Sequence, residues 1–110
     1  MLEQSAIAAV DTFIDAIKNT EIYQKYLEQL QKIKQYPEKY ARVNEFRQRN
    51  YELQNSEQTD DLFDKIDAFE KEYEKFREDA LVDDFLRAEL ALCRMMQKID
   101  AMITEKLDFE

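Results

Sequence analysis

Asp61, Asp64, Asp67 and Glu70 recur every third residue, and a ladder of carboxylates is the one arrangement in this chain that could do chemistry unaided. Carboxylate clusters hold magnesium, and some all-α nucleotide pyrophosphohydrolases pair Glu-x-x-Glu with a downstream Glu-x-x-Asp. This chain has Glu57-x-x-Asp60 but no Glu-x-x-Glu. On a helix, a three-residue repeat drifts around the surface, so the ladder reads first as a solvated face beside Lys65 and Lys71, with a metal site as the competing reading. Histidine is absent, which removes the commonest general base, the usual zinc ligand and every Ser-His or Cys-His nucleophile. The single cysteine, Cys93, reads as a small buried hydrophobe on an apolar helix side. One thiolate per chain cannot complete an iron–sulfur cluster. No catalytic, cofactor-binding or metal residues are assigned, and no cofactor is expected.

Composition narrows the partners. The 16 basic residues against 25 acidic ones leave a formal charge of −9, with no run of basic residues longer than two. Nucleic-acid backbones and anionic membranes both select for clustered Lys and Arg, so neither is expected as a direct partner, although Arg42, Arg47 and Arg49 form a local basic patch. The six tyrosines read as core-edge residues rather than stacking platforms for bases. No apolar run approaches the roughly 20 residues that span a bilayer, and MLEQSAIAAV carries no basic leader region. A lone thiol fits a reducing compartment. The cytoplasm is the expected location.

The elements that would position any site are helices. There is no glycine and one proline, Pro37, so tight hairpins, phosphate loops and oxyanion turns lack the residue that they need for positive φ. Residues 1–110 are the size of one domain, with no room for a second core. A first helix carries Ala6, Val10, Phe13, Ile14 and Ile17 on one side. Asn19 or Thr20 can cap a second with Ile22, Tyr26, Leu30 and Ile33, ending at Tyr36-Pro37 because proline disfavours helical geometry in the residue before it. The third runs from Pro37 to about Leu53 with Tyr40, Val43, Phe46 and Leu53 inward. Polar residues 55–61 make a loop, and Thr59 is placed to cap the next helix.

That fourth helix, LFDKIDAFEKEYEKF over 62–76, spaces Leu62, Ile66, Phe69, Tyr73 and Phe76 four, three, four and three apart. Continuing the stripe would put Asp83 in a dry seam, so the helix must end and the chain must restart at Ala80 behind a cap at Asp79. The fifth helix, about 80–107, has an apolar arc wider than one neighbour needs. Phe85, Leu92, Met96, Ile99 and Ile103 on it are therefore assigned to the centre of the core or to a subunit interface. The expected architecture is all-α: an antiparallel bundle of about four to five helices, the last longest, associating as a dimer.

Glu89 falls inside that arc, between Phe85, Cys93 and Met96. Either packing leaves a gap to solvent there, or the carboxylate is buried and hydrogen-bonded. Arg47 and Asn50, on the inner side of the third helix beside Tyr51, are the candidate partners.

TEIYQKY, NEFRQRNYEL and DALVDDFLRAELALCRMM, spread across residues 20–96, together resemble the YlbF/YmcA family of small bacterial helical proteins, from about Ala6 to Leu107. The resemblance implies an associating all-α bundle and a non-enzymatic regulator or adaptor working through helix–helix contacts. It also implies partners among related family members or in a ribonuclease complex. Some members join a complex that adjusts ribonuclease Y activity and affects competence, sporulation and biofilm formation. Members implicated in iron–sulfur binding carry several cysteines, so that property is not carried over. Two other classes stay open: an acidic all-α metal-dependent nucleotide hydrolase, and a structural oligomer without a catalytic role.

Overall fold

The computed structural model describes residues 3–56 and 61–107; the expected Thr59 cap and the Glu57-x-x-Asp60 pair lie outside them. Five helices make up nearly all of it: α1 Gln4–Lys18, α2 Glu21–Lys34, α3 Pro37–Gln54, α4 Leu62–Phe76 and α5 Ala80–Leu107. Among the described residues there is no strand. The chain is all-α, as its composition requires.

Each break between helices has a local cause. Thr20 caps α2 by accepting a hydrogen bond from the Tyr23 N–H at 3.1 Å, satisfying one of the amides that a helix start leaves open. Pro37 is the first residue of α3, where its missing N–H costs nothing. Asp79 caps α5 as expected: its side chain accepts from the Leu81 N–H at 2.9 Å, and its carbonyl accepts from the Asp83 N–H at 2.9 Å. The α4 stripe stops because Asp83 belongs outside the core. It receives Arg77 and Arg87 at 2.7 and 2.6 Å.

α2 runs antiparallel to α5: Tyr26 stacks toward Phe85 with ring centroids 6.0 Å apart, while Ile22 at the other end lies beside Ala88 and Ala91. α3 passes alongside, and Ile33, Val43, Val82 and Phe85, all but solvent-free, close the core between the three helices. α4 returns antiparallel along α3 through a second, aromatic cluster. There Phe46 stacks on Phe76 at 4.9 Å and packs against Phe69 at 5.6 Å.

Two features depart from expectation. Gln29 is only 3 % exposed, and its side-chain carbonyl has no hydrogen-bond partner. It sits on the same side of α2 as Tyr26 and Ile33, where the helix must be dry. Tyr51, expected inward, is exposed, because α3 has no neighbour on that side so near its end.

The core also reaches only part of the chain. α1 contributes no buried residue, and the buried residues of α5 are Val82, Phe85 and Ala88, all in its first third. The radius of gyration is 18.2 Å, against about 13 Å for a compact chain of this length.

Phe85→Ala should cost about 3–5 kcal/mol in urea-unfolding free energy, because the side chain is enclosed by three helices. Gln29→Met should do the opposite and raise the urea midpoint, since it removes an orphaned carbonyl whose desolvation costs about 1–3 kcal/mol while preserving volume.

Candidate functional site

α3, α4 and α5 form a cleft between them. Val43, Phe46 and Asn50 of α3 form its floor, Phe69 and Tyr73 of α4 one wall, and Leu86 of α5 the other, around about 300 Å³. The helical spacing of Phe69, Tyr73 and Phe76 puts a continuous aromatic wall on one side. The reversal at Arg77–Asp79 joins the two walls at one end.

Arg47 and Glu89 also line this cleft, from α3 and α5. The Arg47 Nη2 donates to Glu89 Oε2, and its Nη1 donates to Asn44 Oδ1 at 3.0 Å. The guanidinium lies 5.7 Å over the Phe85 ring. The pair is half-wet: side-chain exposure is 42 % for Arg47 and 27 % for Glu89. Glu89 is thus neither open to bulk water nor fully enclosed. Asn50 lines the same cleft but makes no hydrogen bond to Glu89.

Outside the cleft, arginines cover the aromatic seam. Arg42 lies 5.2 Å from the Phe46 ring and 5.7 Å from Phe76. Arg49 lies 5.3 Å from both Phe46 and Phe69 and binds Glu72 at 2.6 Å. The basic patch foreseen in α3 is therefore spent on ring faces and carboxylates of its own chain. Such stacking strengthens α3–α4 packing.

The remaining candidates lie apart. Phe85 is in the core, Leu92 and Ile99 are half-buried, and Met96 and Ile103 are exposed at 41 and 46 %. Cys93 is exposed, which corrects the expectation of a buried thiol. Its helix side is apolar, but α2 ends near Ala91, and no described residue of α5 beyond that point is buried. The acidic ladder lies on the outside of α4, with Asp61 and Asp67 paired to Lys65 and Lys71 at 3.5 and 3.2 Å. Among the described residues, no three His, Cys, Asp or Glu side chains come together as a metal would need.

Electrostatic anchors sit at the helix junctions instead. The Lys39 ammonium, 2.6 Å from Asp79, holds that carboxyl below its usual range, aided by the Leu81 and Val82 backbone amides and opposed by burial. Arg87 and then Arg77 do the same for Asp83, and Arg49 for Glu72. These pairs tie neighbouring helices together at their junctions.

A family model described as "Control of competence regulator ComK, YlbF/YmcA" matches residues 7–108. The chain belongs to the YlbF/YmcA family. The match begins within α1 and runs through the end of α5. No curated protein matches significantly, and neither does any solved structure. The YlbF/YmcA description names regulation, which agrees with a surface organised for contact.

Glu89→Ala should lower stability by about 1 kcal/mol, since a pair this wet is worth little more, and Glu89→Gln should lower it less; chemical denaturation measures both. Acid should weaken the fold. Asp79, Asp83 and Glu72 have folded-state pKa values below their unfolded ones. The stability they contribute is therefore complete above about pH 5 and is lost as the pH falls through the ordinary carboxylate range toward the lowered values. Thermal melts from pH 7 to pH 3 should show Tm falling in that window, and falling less in Asp79→Asn.

Proposed function

We propose that this protein is a non-enzymatic regulator that works in the cytoplasm as a homodimer, through helix–helix contacts. Its targets on this reading are related family members and a complex that adjusts ribonuclease Y activity, with competence and sporulation downstream. The observation that carries it is the unsatisfied apolar surface. Val10, Phe13, Ile14, Met96, Met102 and Ile103 are each 40–51 % exposed. Completing the burial of six such side chains is worth about 1 kcal/mol each, or roughly 6 kcal/mol per copy. Counted on both copies, that is comparable to the roughly 4–15 kcal/mol cost of association.

Acidity favours protein over RNA as the direct target. At a formal charge of −9, counterion release cannot drive binding to a phosphate backbone. Among the described residues, no helix is long and apolar enough to cross a membrane.

Light scattering at micromolar concentration should give twice the chain mass. Fluorescence anisotropy with single-stranded RNA at physiological salt should show no submicromolar binding. The regulatory role is tested by deleting the gene in its host and scoring ComK-dependent competence. Competence should fall and be restored by the wild-type gene, but not by Val10→Asp. Unchanged competence would remove the role and leave a structural oligomer as the reading.

A further inference from the structure

We propose that α1 of one copy packs against the distal half of α5 of a second copy, in a twofold arrangement that covers both faces on both chains. This rests on the dimer reading above and adds which helices meet.

The α1 face is formed by Ile7, Val10, Phe13, Ile14 and Ile17, an apolar arc of about 120°, yet no residue of α1 is buried. On α5, Leu92, Met96, Ile99 and Ile103 continue the line of Phe85 past Ala91, where α2 ends, and none of them is buried. Among the described residues, the stripe that seats the core therefore runs on for about four more turns that are at most partly covered. The two faces also match in size. The 15 residues of α1 span about 22 Å, and the last 16 of α5 about 24 Å, at 1.5 Å each.

The chain does not cover one face with the other. α1 packs to an appreciable extent only on α2, and α1 with α5 is not among the substantial helix pairs. The turn between α1 and α2 is also fixed. Thr20 Oγ1 donates to the Ile17 carbonyl at 2.7 Å and accepts from the Tyr23 N–H at 3.1 Å. Asn19 Nδ2 donates to the Asp15 carbonyl at 2.9 Å, and Gln24 Nε2 to the Lys18 carbonyl at 2.5 Å. Two of these bonds, Thr20 to Ile17 and Gln24 to Lys18, cross the turn and set the direction of α1, so it is not a loose arm that folds back on its own α5.

Area then selects the twofold form. One helix face of this length amounts to roughly 300 Å². A single α1–α5 contact covers two faces and falls well short of the roughly 1,200–2,000 Å² that stable pairs bury, whereas two such contacts reach that range. The wider apolar arc of α5, which also includes Met95 and Met102, leaves room for the α5 helices of the two copies to touch along the axis.

Cysteine pairing tests the arrangement in the full-length chain, with Cys93→Ser as background. Ile14→Cys protein is mixed with Met96→Cys, Ile99→Cys or Ile103→Cys protein, the mixture is unfolded and refolded together, and then oxidised. Because each chain carries one thiol, no intrachain link can form. The expected result is a mixed disulfide between position 14 and at least one α5 position, at several times the yield of the 14–14 species. A dimer by light scattering that gives only 14–14 and α5–α5 links would overturn the arrangement while leaving the dimer standing. A single-chain mass across the concentration range would overturn both.

Discussion

Three helices converge on one ring. Phe85 is enclosed by Ile33 from α2, Val43 and Tyr40 from α3, and Val82 from its own helix. α4 reaches the same core through Phe76 at its C-terminal end and is otherwise held along α3. What fixes the rest of the fold is that α5 must lie with Phe85 between α2 and α3. The Asp79 cap and its ion pair with Lys39 start the helix at the residue that makes this possible. A start one residue later would rotate Phe85 about 100° out of the core.

The arrangement also explains why the molecule is long rather than round. Packing around Phe85 consumes α2, α3 and the first turns of α5, and the α4 stripe is satisfied by Phe46. Among the described residues, neither α1 nor the last turns of α5 contribute a side chain to that core. The proposed dimer would supply the cover that the chain's own core does not.

Much of this was legible in the sequence, because helix boundaries are local. Pro37, Thr20 and Asp79 announce their breaks through chemistry that needs only neighbouring residues. Arg47 and Glu89 were found because each interrupts an apolar arc. What the helical wheel could not give was the length over which a neighbour stays in contact. It placed Cys93 and Met96 on the correct side of α5 without showing that α2 stops at Ala91. Gln29 was missed although its place beside Tyr26 and Ile33 carried the signal, because long polar side chains on a core face are normally assumed to reach water. The stacking of Arg42 and Arg49 on Phe46 left no spacing signature at all, since guanidinium–ring contact depends on the side chain's path rather than on its register.

The core joins residues 26–33 to residues 82–88, which has a consequence for the order of events during synthesis. The ribosome delivers α1 through α4 before α5 exists, and of the main helix pairs only α1–α2, α2–α3 and α3–α4 can form from that material. The stripe of α2 stays wet until about fifty further residues have emerged, and closing a loop of that length carries an entropic cost of roughly 3 kcal/mol from its length alone. The nascent chain thus carries an open apolar face on α2 until α5 leaves the exit tunnel. That interval is when it is most vulnerable to wrong partners.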